Sequence, residues 1–239
     1  MLVTCYYDLY GKPEKFMEYL YLFYELGMSG LPMVVFVEPH MIDKFRIFPS
    51  TVVIVGLPLA DCELYRIAIN YTRELPTSRN PEKDTKEFFA LMNTKMELVR
   101  RAAALWPAVE TFQWIDFGIM KIMKQRETVI TRLRELDRGV FQKMTVPGCW
   151  AEGHAFSVDS IHWRFCGGFF ILPRLLIERF YQHSKCVLTD FCTQSQYKLT
   201  WETNVWTVIE SCAEKDNIAW YAADHNDTMV LHCPALCTF

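Results

Sequence analysis

The chain has 239 residues, with 25 Lys and Arg against 28 Asp and Glu and a formal charge of -3. That length can bury a sizeable core as one α/β domain, read here as spanning 1–239. The lack of a basic excess argues against a surface that tracks nucleic-acid phosphates. Nine cysteines run from Cys5 to Cys237 without a CxxC pair, which fits reduced thiols in a cytoplasmic protein. His232-Cys233 with Cys237 lacks the second ligand pair of a zinc site. The N-terminus has no basic segment ahead of an apolar one, and the apolar runs Thr51 to Ala60 and Phe165 to Ile177 are too short or broken by proline to span a membrane.

Leu2 to Tyr7 is rich in β-branched and aromatic residues and predicts a first strand. From Pro13, apolar residues at Phe16, Tyr19, Leu20, Phe23 and Leu26 repeat at helical spacing, and Gly27 and Gly30 end that helix. Met33 to Val37 has no polar interruption, as a strand covered on both faces requires. Val52 to Val55 predicts a third strand, Ala60 to Tyr71 a helix, and Glu74 to Lys86 an exposed loop able to move over a site. Asp84 and Glu87 have the spacing of a capping box for a helix whose apolar stripe is Phe88, Met92, Met96 and Val99. Lys95 interrupts that stripe, either as a stem at the core edge or as a cation aimed at an anion.

Phe112 to Gly118 is an apolar run that ends in Asp116 and a glycine. It predicts a buried strand with Asp116 where the strand ends, the edge at which open α/β sheets collect ligands. There the carboxylate either grips a hard divalent cation or only starts a turn. Lys121 to Arg138 predicts a solvated helix, Phe141 to Ser160 an irregular segment, and Ile161 to Leu172 a strand holding Gly167-Gly168, a pair that marks a bulge or a close approach. Pro173 opens a helix through about Lys185. Thr200 is positioned to cap a helix with Val205, Trp206, Ile209 and Cys212 inward and Glu202 in its first turn, where the helix dipole favours an acid without any function. Finally Trp220 to Ala223 runs into Asp224-His225-Asn226-Asp227, a solvated turn or a site for a divalent ion and phosphate oxygens.

Val3-Thr4-Cys5-Tyr6-Tyr7-Asp8, Asn93-Thr94-Lys95, Trp114-Ile115-Asp116-Phe117-Gly118, Cys166-Gly167-Gly168-Phe169, Trp201-Glu202 and Asp224-His225-Asn226-Asp227 together resemble the HtrL/YibB family of predicted glycosyltransferases, found in bacteria and large DNA viruses. The resemblance implies a single-domain A-type glycosyltransferase fold, an α/β protein with a Rossmann-like mixed sheet flanked by helices. It also implies a nucleotide-sugar donor, most simply a UDP-sugar, and a hydroxyl acceptor on a glycan or protein. It brings Thr4 and Tyr6 near the nucleotide base, Lys95 near the donor phosphates or sugar, and Gly167 and Gly168 against a sugar. Asp116 matches the family's DxD-like metal motif, although residue 114 is Trp, so only one Asp remains. His225 and Asp227 match its C-terminal ligands for Mn²⁺ or Mg²⁺. If configuration inverts, a carboxylate must take the acceptor proton: Glu202 first, Asp224 second. The competing functions are a metal-dependent phosphohydrolase and a non-catalytic binding or assembly module.

Overall fold

A computed structural model describes residues 1–234; Cys237 lies outside the described residues. Seven strands form one sheet: β1 (Leu2–Tyr6), β2 (Met33–Val37), β3 (Val52–Gly56), β4 (Thr111–Ile115), β5 (Met144–Gly148), β6 (Phe169–Pro173) and β7 (Ile218–Ala222). Their order is β3-β2-β1-β4-β6-β5-β7. β6 is antiparallel to β4 and β5, and every other pairing is parallel. The carboxyl ends of β1, β4, β5 and β7 therefore share one edge with the amino end of β6.

Eight helices complete the α/β layers among the described residues: α1 (Pro13–Gly27), α2 (Glu63–Ile69), α3 (Lys86–Asn93), α4 (Lys95–Leu105), α5 (Arg126–Asp137), α6 (Arg174–Thr193), α7 (Glu202–Ile209) and α8 (Thr228–Leu231). The strands bury alternate residues in two separate cores. In β2, Val34 and Phe36 join the core under α2, α3, α4, α6 and α7, while Met33, Val35 and Val37 join the core under α1, α5 and α8. Both faces are thus covered, which is why β2 reads as an unbroken apolar run. No described helix is long and apolar enough to cross a membrane.

Several boundaries differ from expectation, each for a local reason. β5 lies inside the segment expected to be irregular, where Pro147 and Gly148 mask the strand signal. The strand expected over Ile161 to Leu172 is confined to β6, and residues 161–168 form a folded loop. The helix expected after Asp84 is two helices divided at Thr94, whose side chain bonds back to the Ala90 carbonyl. Thr85, not Asp84, caps the first of these by accepting the Phe88 N–H at 3.2 Å. Thr200 does not cap α7, since Trp201 occupies that position without a side-chain cap, and Cys212 is exposed. The charged segment after β4 starts with a short 3-10 turn, Ile119–Lys121, and becomes α-helical only at Arg126, and α6 continues to Thr193, past Lys185.

Candidate active site

The strand order turns at β1, with β2 on one side and β4 on the other, and this switch point is where a sheet of this kind leaves a crevice. A cavity of about 310 Å³ opens there. Its walls are the exits of β1 (Tyr6, Tyr7) and β4 (Asp116, Phe117), with Tyr19 of α1, Phe88 of α3 and His225 after β7. Lys83 and Lys121 stand at its rim, Lys83 over the Phe88 ring and Lys121 over Tyr19. Residues from the middle and near the end of the chain, Asp116 and His225, therefore face one space.

Asp116 is fixed from several sides. Its backbone N–H donates to the Gly168 carbonyl at 2.9 Å. Trp114, two residues earlier on the same face of β4, donates its indole N–H to Asp116 Oδ1 at 2.7 Å. Trp114 thus holds the Asp116 carboxylate in place. The Lys95 ammonium lies 2.9 Å from the same oxygen, leaving Oδ2 on the Gly168 side free of these contacts.

Lys95 is the hub beneath this floor. Its side chain is buried, and Nζ donates to Glu202 Oε1 at 2.7 Å and to the Gly167 carbonyl at 2.8 Å. Burial opposes the charge, but Asp116 and Glu202 more than offset it and raise the Lys95 pKa above its ordinary value. Glu202 is itself buried, and a Cβ on Gly167 would fall on Glu202 Oε1, so only glycine lets this carboxylate tuck in. Of the readings of Lys95, the cation aimed at an anion is the one seen, with two carboxylates of this chain as its partners; buried and off the cavity lining, it does not stand where a donor phosphate or sugar would meet it.

The other expected site residues divide. Tyr6 lines the cavity, and burial, then Asp8 and Tyr19, push its phenol up to about 12. Thr4 does not line it: it is fully buried two residues below the strand end, and its hydroxyl has no hydrogen-bond partner among the described residues. Gly167 and Gly168 are buried behind the wall, with their carbonyls used by Lys95 and Asp116. Asp227 is turned inward, its Oδ1 accepting the Gln125 N–H at 2.9 Å. Asp224 is exposed beside His225, with the Cys149 thiol 3.5 Å from its Oδ1. Crowding by protein atoms lowers the His225 pKa, against the pull of Asp116, so the ring is neutral at pH 7 and able to ligate.

No group of three metal-ligating side chains occurs among the described residues. Asp116 Oδ2 and the neutral His225 ring still make a donor pair on one cavity. Mg²⁺ or Mn²⁺ bound mainly by a diphosphate takes only one or two protein ligands, so the donor set fits such an ion and does not fit a closed structural site. The rim lysines and the Tyr19 and Phe88 rings carried no motif. The only signal for Lys83 was its position in the loop expected to approach a site.

The fold and cavity together define an α/β protein whose ligand crevice lies at the switch point of a mixed sheet. Its architecture is similar to that of a glycosyltransferase involved in glycosylation of the major capsid of PBCV-1, at 11% identity over 93% of this chain and 81% of that one, TM-score 0.38. It is also similar to the bifunctional IspDF of Campylobacter jejuni, at 11% identity over 93% of this chain and 49% of that one, TM-score 0.42. A third similar structure is the 4-diphosphocytidyl-2C-methyl-D-erythritol synthase of Anaerococcus prevotii, at 10% identity over 94% of this chain and 87% of that one, TM-score 0.37. No family model and no curated protein matches the sequence.

Proposed function

We propose that the protein transfers a sugar from a nucleotide-sugar, a UDP-sugar in the simplest case, to a hydroxyl on a glycan or protein acceptor. The observation that carries this is the pairing of Asp116 and His225 on one cavity at the switch point, between aromatic walls and two rim lysines. Tyr6, Tyr7, Tyr19 and Phe88 offer faces for a base and sugar, and Lys83 and Lys121 offer charge to a diphosphate. Asp116 Oδ2 and His225 would hold Mn²⁺ or Mg²⁺, whose contribution when bound is to stabilise the charge on the leaving nucleoside diphosphate.

In the reaction the bond between the anomeric carbon and the diphosphate oxygen breaks as the acceptor oxygen bonds to that carbon. With inversion, the acceptor proton passes to a carboxylate. Glu202 is buried against Lys95 and cannot meet an acceptor without moving, so we assign this proton to the exposed Asp224. Lys95 is then a positioning residue that aims Asp116 through a 2.9 Å contact to Oδ1, and Glu202 holds Lys95 in place.

Thermal shift with UDP, GDP and their sugars, with and without Mn²⁺, joined to an assay for released nucleoside diphosphate, tests the proposal. A metal-dependent shift with one nucleotide and release that is lost in Asp116→Asn are expected. Stabilisation by phosphate alone, or full activity in Asp116→Asn, would refute it.

A further inference from the structure

A second built cavity lies outside this site. The loop between β5 and β6 packs against α7 and the single π turn that follows it, Glu210–Glu214, and a space of about 210 Å³ remains between them. It adjoins another of about 400 Å³ along the edge strand β7, and the two share Glu152, Arg164, Glu210 and Lys215. Together they form a groove.

The groove is held in shape from both sides. Arg164 is buried, lies over the Trp220 indole at 4.6 Å, and donates to both oxygens of buried Glu210 at 2.8 and 2.6 Å. Asn204 of α7 donates to the carbonyls of Ser157 and Ser160 and accepts the His162 N–H, which pins the loop. His162 is buried on the groove, with Trp150 edge-on at 5.2 Å and the Thr207 hydroxyl 3.3 Å from Nδ1. None of these groups touches the cavity at Asp116. A buried ion pair adds little to stability over apolar packing, and π turns recur at functional sites, so this arrangement points to a ligand.

Its charge narrows the ligand class. Lys143, Arg164 and Lys215 are matched by Glu152, Glu210 and Asp216, and burial lowers the His162 pKa so that its ring is neutral. A balanced groove gives no net attraction to phosphate or to an acidic peptide. With the Arg164 fork taken by Glu210, what the groove offers is the exposed carboxylates of Glu152 and Asp216 and the Thr207 and Ser211 hydroxyls near the Trp220 ring, which suits adjacent hydroxyls and the C–H face of a sugar.

We propose that this groove binds a neutral saccharide chain. In the transfer reaction it would hold part of the acceptor glycan; that role rests on the proposed transfer, whereas the binding does not.

The test is saturation-transfer NMR and calorimetry on the full chain with four neutral probes: maltotetraose, cellotetraose, mannotetraose and chitotetraose. Tetragalacturonate and inorganic phosphate are the charged controls. At least one neutral probe should bind, at least tenfold more weakly in Ser211→Trp, which fills the groove from its exposed rim, and in Glu152→Gln, which removes an exposed carboxylate of the groove and leaves the buried Arg164–Glu210 pair intact. Asp116→Asn should bind the probe as the wild type does. Binding by none of the four, preference for a charged control, or unchanged affinity in both groove variants would overturn the proposal. Saccharide binding without transfer from any nucleotide-sugar would overturn the transfer reading and uphold the groove.

Discussion

Replacing Lys95 with Met isolates the physics of the site floor. Met matches the length of the lysine stem and its apolar packing, so the loss is confined to an ammonium with three acceptors: Asp116 Oδ1 at 2.9 Å, Glu202 Oε1 at 2.7 Å and the Gly167 carbonyl at 2.8 Å. Asp116 retains the Trp114 indole and a side chain 33% exposed, whereas the Glu202 side chain, 6% exposed, loses its cation. Removing one member of a buried pair costs about 3–5 kcal/mol, a large part of the roughly 5–15 kcal/mol that holds a domain folded. Urea unfolding followed by circular dichroism should show the midpoint falling with little change in slope, and a Tm lower by on the order of 10 °C. Adding Glu202→Leu to Lys95→Met should restore most of the loss, because the orphaned carboxylate goes with it. A loss below about 1 kcal/mol in the single variant, or no recovery in the double, would refute the account of Lys95 as a charge hub.

Four further outcomes follow from the same geometry. Trp114→Phe removes one hydrogen bond to a charged oxygen, so it should cost about 1.5–3 kcal/mol by urea unfolding and lower turnover with little change in fold. Gly148→Ala puts a Cβ on the Arg164 carbonyl oxygen, a backbone atom that cannot swing aside, and should lose about 3 kcal/mol or more, read as a drop in Tm. Glu202→Gln keeps an acceptor for Lys95 and should lower turnover less than tenfold, whereas Asp224→Asn should lower it by about 100-fold or more; steady-state rates in the reverse order would return the proton to Glu202. The His225 pKa is lowered from 6.5 on folding, so its contribution to stability is complete above that pH and is lost as pH falls toward the folded value. Mn²⁺-dependent donor affinity, measured by calorimetry, should weaken at the acid end of that window, as pH falls through the folded value and the native ring takes up a proton.

The sheet was legible where burial on both faces leaves apolar runs: Met33 to Val37 is unbroken, Leu2 to Tyr6 holds only Thr4 and Phe112 to Ile115 only Gln113 as polar members, and all three read as strands and are strands. Asp116 stood out because an acid closing such a run marks a strand exit. Partners distant in sequence were not legible. Lys95 reads as an anomaly in a helical stripe, and nothing local reveals that its acceptors lie 72 and 107 residues away. Glu202 reads as a first-turn acid because helix-dipole preference and burial against a cation give the same residue at the same place. β5 was hidden because Pro147 and Gly148 carry turn propensity, which pairing with β7 overrides.

The cross-chain hub has a consequence for the order of events in folding. Closing contacts over 72 and 107 residues is entropically late work, so the β1-β2-β3 unit with its short-range pairings is expected to form first and the floor last. A nascent chain that ends before residue 202 carries Lys95, Asp116 and the wall at Tyr6 and Tyr7, yet leaves the buried ammonium facing one carboxylate instead of two. Such a fragment is under-neutralised at its centre, and the charge of the floor is balanced only when α7 docks.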